Sequence, residues 1–108
     1  MAITYKVLGQ SNPSATTDTT IYTVPAASSA VVSTIAVCNQ AATSATYRIS
    51  VVPSGQSLAA KNYIVYDSSI IANSMTSYTI GIALATGDTI HVYSSSATLS
   101  FSVFGTEQ

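Results

Sequence analysis

Short stretches in which β-branched and aromatic residues alternate with hydroxyl-bearing ones recur along the whole chain, and no other feature restricts its fold so tightly. They cover residues 3–8, 20–24, 30–39, 45–52, 62–67, 77–84, 89–94 and 98–104, each bounded by Gly, Pro, Asn, Asp or Ser. Val, Ile and Thr supply 35 of the 108 residues, types that lose side-chain freedom in a helix and pack well on a pleated sheet. At 46–51, Tyr47, Ile49 and Val51 alternate with Thr46, Arg48 and Ser50, the apolar-in, polar-out pattern of an antiparallel sheet. Leu99, Phe101 and Val103 alternate with Ser100 and Ser102, which predicts a core strand. At 30–39, Val31, Ile35 and Val37 share one face with Ser33, and Val32, Ala36 and Cys38 share the other with Thr34, so both faces of this strand are expected to be covered. A helical period is absent, apart from one turn's worth at residues 57–61. The fold class expected is all-β: an antiparallel sandwich of about eight strands, jelly-roll-like, forming one domain over residues 1–108.

The turns agree with this reading. Thr86-Gly87-Asp88 lies between two alternating runs, where Gly87 can take positive φ and the Asp88 carboxylate can accept a backbone N–H, giving a hairpin or a tight corner. Pro53-Ser54-Gly55 ends the fourth run, and Pro25 ends the second because proline cannot donate to a ladder. The polar stretch at 11–20 reads as a loop, or as the hinge of an N-terminal arm over residues 1–19.

Ionised side chains are scarce. Lys and Arg number 3 and Asp and Glu 4, 6 % of the chain, where about 25 % is usual; 18 Ser and 15 Thr take their place. Three scattered cations cannot neutralise a run of phosphates, which excludes a nucleic-acid-binding role. A chain 47 % hydrophobic is not disordered for want of a core. No stretch approaches the ~20 apolar residues of a membrane helix. MAITYKVLGQ lacks the pattern of a secretory signal, so synthesis in a cytoplasm, with the chain used from its first residue, is the expectation. A single cysteine, Cys38, makes no internal disulfide.

Catalysis needs convergent titratable groups, and this chain is poor in them. Cys38 lies beside Ala36 as small core filler with nothing near it in sequence to activate the thiol. His91 shares a face with Thr89 and Tyr93, opposite Ile90 and Val92, and is expected to face solvent or a subunit interface. One imidazole does not make a metal site, and Asp67 and Asp88 are expected to cap turns. No acidic cluster is spaced for calcium, and no cofactor is expected. Seven tyrosines without a tryptophan suit half-buried sheet positions; Tyr63 and Tyr66 fall on opposite faces of a regular strand, which puts at least one of them toward solvent or a partner. Interfaces enrich tyrosine and deplete charge, as this composition does.

The motif order YTVPA at 22–26, VVSTIAVCN at 31–39, TYRISVVPSG at 46–55 and GIALATGDTIHVYSSSATLSFSVFGTE at 81–107 resembles small β-sandwich virion proteins of tailed bacteriophages, especially cyanophages, with 57–62 the segment of weakest likeness. These motifs are turn and strand punctuation, so the resemblance implies a fold and a virion setting and no active-site residues. It implies a capsid decoration (cement) protein that binds the major capsid protein and stabilises the shell, or else a tail, fibre or baseplate component. A homo-oligomer, dimer or trimer, on a local symmetry axis fits that setting. A glycan-binding module using exposed tyrosines is the alternative of a different class. The expected interface residues are Ile3, Tyr5 and Val7, on a segment (3–8) that acts as a swapped or docking strand, together with Tyr63, Tyr66, His91 and Tyr93.

Overall fold

Alternation becomes structure in eight strands. In a computed structural model, which describes residues 2–108, these are β1 (Thr4–Ser11), β2 (Thr19–Thr23), β3 (Ala30–Asn39), β4 (Ala45–Val52), β5 (Tyr63–Ile70), β6 (Met75–Leu84), β7 (Thr89–Ser94) and β8 (Leu99–Glu107). A 3₁₀ turn at Ala60–Asn62 precedes β5, close to the single turn expected at 57–61. The first sheet has the order β1-β8-β3-β6 and the second β2-β7-β4-β5, with every neighbouring pair antiparallel. Only β4 and β5 are consecutive strands within one sheet, so every other connection crosses between layers. That order is the double Greek key of a jelly roll, as expected. The shortest dimension, 20 Å, is that of two stacked sheets.

The two inner faces supply the core. Ile35, Val37, Leu99, Phe101 and Val103 come from the first sheet and Tyr47, Ile49, Ile90 and Val92 from the second, all at most 1 % exposed. Full burial of side chains of this size contributes about 1.5–3 kcal/mol each. The Tyr47 ring meets Phe101 edge-on at 6.1 Å. Its hydroxyl bonds that of Tyr78 on β6, joining the sheets through the core. Burial first, and the Tyr78 hydroxyl second, push the Tyr47 phenol up to about 12. Asn39, 1 % exposed, donates to the carbonyls of Thr43 and Ile71 at 2.9 and 3.2 Å and accepts from Ala41 N–H at 3.0 Å, fixing the loops at one end. At the other end, Tyr22 donates to the Glu107 carboxylate, which also takes Lys6 Nζ at 2.9 Å.

Bulges decide which face several residues reach. The strict alternation expected for β3 breaks at Ser33, an extra residue opposite the step from Phe104 to Gly105. Val32 and Ile35 therefore both point inward and are fully buried, whereas Val31 is 46 % exposed and does not share a face with Ile35 and Val37. The bulge is possible because β8 passes close here: a Cβ on Gly105 would sit 2.1 Å from the Val31 carbonyl oxygen. Cys38 is not core filler; it lies half-buried on the outer face, opposite Met75 and Ser100. In β4, Ser50 and Val52 alternate outward as expected yet are buried, where the 3₁₀ turn packs over that end of the strand.

The turn at 86–88 is a corner between sheets and not a hairpin, since β6 and β7 lie in different layers. Gly87 takes φ +83°, and the Asp88 carboxylate accepts the N–H groups of Ala85 and Ser54, each at 2.9 Å. Asp67 caps no turn; it lies within β5 at φ +50° and binds Arg48. Within the chain, β1 pairs with β8 from Thr4↔Glu107 to Ser11↔Phe101 as an edge strand of its own sandwich. Met1 lies outside the described residues.

Candidate functional site

The seven expected interface residues divide between the two outer faces of the sandwich. Ile3, Tyr5 and Val7 lie on the first sheet; Tyr63, Tyr66, His91 and Tyr93 lie on the second.

On the first sheet, β1 faces outward with Tyr5 and Val7 opposite Thr106 and Phe104 of β8. Ile3, Tyr5, Val7 and Val31 are 55, 82, 49 and 46 % exposed. Together with half-buried Phe104 they form an apolar patch at one end of this face. The nearby charges neutralise each other, because Lys6 is paired with Glu107. The Tyr22 hydrogen bond, and then Lys6, hold the Glu107 carboxyl below its ordinary value. Further along the face Gln10 donates to Ser102 and Gln40 to Ser100, and exposed Met75 stands beside Cys38 at the far end.

On the second sheet, irregular pairing of β5 with β4 builds an aromatic cluster. Ser50 pairs with Tyr63 but Ile49 pairs with Val65, so Ile64 is an extra residue and Tyr63 points outward; between Val65 and Ser68 a second irregularity leaves Tyr66 and Asp67 outward as well. The expectation that Tyr63 and Tyr66 occupy opposite faces is thus corrected. Their rings meet at 4.9 Å between centroids and 82° between planes. Arg48 faces Tyr93 across the β4–β7 ladder. Its guanidinium lies between two tyrosines, 4.3 Å from the ring centroid of Tyr66 and 4.3 Å from that of Tyr93. Asp67 grips the guanidinium through Nε at 2.7 Å and Nη2 at 3.3 Å and raises its pKa further above the ordinary arginine value.

Leu58, Ala59 and Ala60 form a wall beside Tyr63 and Tyr66, closing a cleft of about 650 Å³. Asn62, 6 % exposed, fixes that wall: its Oδ1 accepts the Ala59 N–H at 2.7 Å and its own N–H donates to the Ala59 carbonyl at 3.0 Å. Arg48, Asp67 and Asn62 were not foreseen as site residues, because the bulges that gather them leave no periodic trace in the sequence. His91 is on the outer face, as expected, but is engaged: Nδ1 lies 2.6 Å from Asp18 Oδ2 and Nε2 3.0 Å from Thr89 Oγ1. Cys38 and His91 occupy opposite faces and form no dyad, and Asp67 and Asp88 are committed to Arg48 and to a turn.

Among the described residues, no group of three or more His, Cys, Asp and Glu is placed to hold a metal, and no helix is long and apolar enough to cross a membrane. No protein-family model, curated protein or solved structure matches this chain.

Proposed function

We propose that this chain is a non-enzymatic structural protein of a tailed-phage virion, seated on the capsid surface, where it binds the major capsid protein and stabilises the shell. The observation that carries the reading is the outer face of the first sheet. Tyr5 and Val7 on the edge strand β1, Ile3 just before it and Val31 on β3 leave it apolar at one end, and the adjacent Lys6 and Glu107 cancel each other. A bare apolar patch rimmed by hydroxyls is what a protein partner covers, and an unpaired strand edge adds main-chain hydrogen bonds to such a contact. The virion setting is supported by the motif resemblance alone. The jelly-roll order adds nothing to it, since that fold hosts lectins as readily as capsid subunits.

Quantitative mass spectrometry of purified particles tests the setting. Stoichiometric abundance relative to the major capsid protein is the expected result. A few copies per particle places the chain on the tail, fibre or baseplate instead, and absence from particles overturns the reading. The face is tested by the double variant Tyr5→Asp with Val7→Asp, both on exposed positions. It is expected to fold and to lose particle association, and unchanged association refutes docking through β1.

A further inference from the structure

The aromatic cleft on the second sheet has a chemistry that docking through β1 does not use. Tyr66 is 59 % exposed, yet its ring is held in place by Arg48 over one face and by a T-shaped contact with the Tyr63 ring. Two rings at 82° make a corner, one ring the floor and the other a wall, and Leu58, Ala59 and Ala60 close the third side. Nothing need be ordered when a ligand arrives, so the entropy cost of binding is small.

The polar groups at the corner select the kind of ligand. None of the residues lining the cleft is charged, and the adjacent Arg48 and Asp67 balance each other in charge, so the lining itself offers no cation to a phosphate or carboxylate. Two Asp67 oxygens receive the guanidinium, but a carboxylate accepts about four hydrogen bonds, and this side chain is 45 % exposed. Arg48 likewise gives two of its five N–H donors to Asp67, so the pair can both donate to and accept from a ligand. A polyproline peptide suits aromatic grooves but brings only carbonyl acceptors, which leave the free Asp67 positions without a donor. A ligand with one flat apolar face, no charge and a rim of hydroxyl donors matches on all three counts. We infer that the cleft formed by Tyr63, Tyr66 and the 58–60 wall binds a neutral saccharide, one sugar ring lying on Tyr66 against Tyr63 while Asp67 accepts its hydroxyls. The volume of about 650 Å³ lies within the range of small-molecule sites.

The test is titration of the intact chain, followed by backbone amide NMR and calorimetry, with uncharged oligosaccharides of glucose, mannose, galactose and N-acetylglucosamine, and in parallel with a sialylated oligosaccharide and a proline-rich peptide. At least one neutral series is expected to shift amides of residues 58–67 and of Arg48. Tyr66→Ala should weaken that binding at least tenfold and Asp67→Asn severalfold, while Tyr66→Phe, which keeps the ring, should bind almost as the parent does. Tyr5→Ala, on the opposite sheet, should change nothing. Thermal melts of each variant separate loss of binding from loss of fold. No binding in any neutral series, preference for the sialylated sugar or the peptide, or full binding by a folded Tyr66→Ala protein would overturn the assignment. Particle association by the Tyr66→Ala protein is expected to be unchanged, so failure here does not touch the capsid reading.

Discussion

The two outer faces grow from the same alternation and end in opposite conditions. On the first sheet Tyr5 is 82 % exposed with no aromatic or cationic partner for its ring among the described residues, and the patch around it is apolar. On the second, Tyr66 is also exposed, but a guanidinium, a carboxylate and a second tyrosine fix it in place. An unsupported apolar surface gains by being covered, and whatever covers it can be broad and unspecific in shape. A supported aromatic corner is already ordered and offers one directional acceptor, which suits a small ligand of defined geometry. The lesson is that exposure alone does not sort binding surfaces; what holds an exposed ring does.

The comparison depends on the bulges, and the largest effect is expected from disturbing one. Gly105→Ala puts a Cβ 2.1 Å from the Val31 carbonyl oxygen and 3.0 Å from the Val32 Cα, both backbone, so the strand must move. A loss on the order of 1–3 kcal/mol is expected, or a fall of roughly 4–8 °C in Tm per kcal/mol for a chain of this size. The apolar patch around Val31 should be remodelled with it. Gly81→Ala on β6 of the same sheet, where nothing lies within 4 Å and φ is not positive, should be nearly neutral. Equal losses in the two melts would show that the close approach at Gly105 is not what shapes this face.

Next in size is the link between the faces. Tyr47 on the second sheet and Tyr78 on the first share a hydroxyl–hydroxyl bond in the interior. Tyr47→Phe keeps the ring against Phe101 and removes that bond, with an expected cost of about 1 kcal/mol in denaturant unfolding. The same variant should leave both surface binding activities intact. A change in sugar binding without a change in stability would mean that the second face is tuned from beneath.

Regular alternation made most of this fold legible in advance. The bounds of β3, β4 and β7 follow directly from runs of alternating residues, and the core side chains Tyr47, Ile49, Leu99, Phe101 and Val103 follow with them. What could not be read was wherever one extra residue enters a strand. A bulge inverts every face assignment on one side of it, as Ser33 does for Val31 and as Ile64 does for Tyr63. No local composition marks either position, because the requirement lies in the partner strand. The aromatic site was half legible for the same reason: its tyrosines stand out in a chain without tryptophan, but Arg48 and Asp67 are 19 residues apart and meet only through β4–β5 pairing.

The Arg48–Asp67 pair allows a smaller test. Asp67→Asn retains a residue type that tolerates φ near +50° and removes the charge. Because the pair is partly solvated, the expected cost is within about 1 kcal/mol and shrinks in high salt. Stability should therefore barely move while sugar binding falls severalfold. A fall in both by the same factor would make the pair a brace for β5 and not a feature of the cleft.

The smallest effect is expected from Glu107, which ends β8 and meets Tyr22 of the second sheet. Its folded-state carboxyl is held below the ordinary glutamate value by the Tyr22 hydroxyl and then by Lys6. A group whose pKa is lower in the folded state binds fewer protons there than when unfolded, so its contribution is present in full above the unfolded value of about 4.3. It is lost as the pH falls through the lower folded value. Acid melts of the parent should thus steepen below about pH 4.3 relative to Glu107→Gln, and the two curves should converge at the acid limit apart from a constant offset. The Arg48–Asp67 side of the molecule should not alter that difference: an Asp67→Asn background should give the same Glu107-dependent slope. If the slope instead depends on Asp67, the Glu107 site beside β2 is electrostatically coupled to β5 at the opposite edge of the second sheet, three strand spacings of about 4.8 Å away and beyond the ~8–10 Å over which salt screens exposed charges, and the two regions could not be treated as independent.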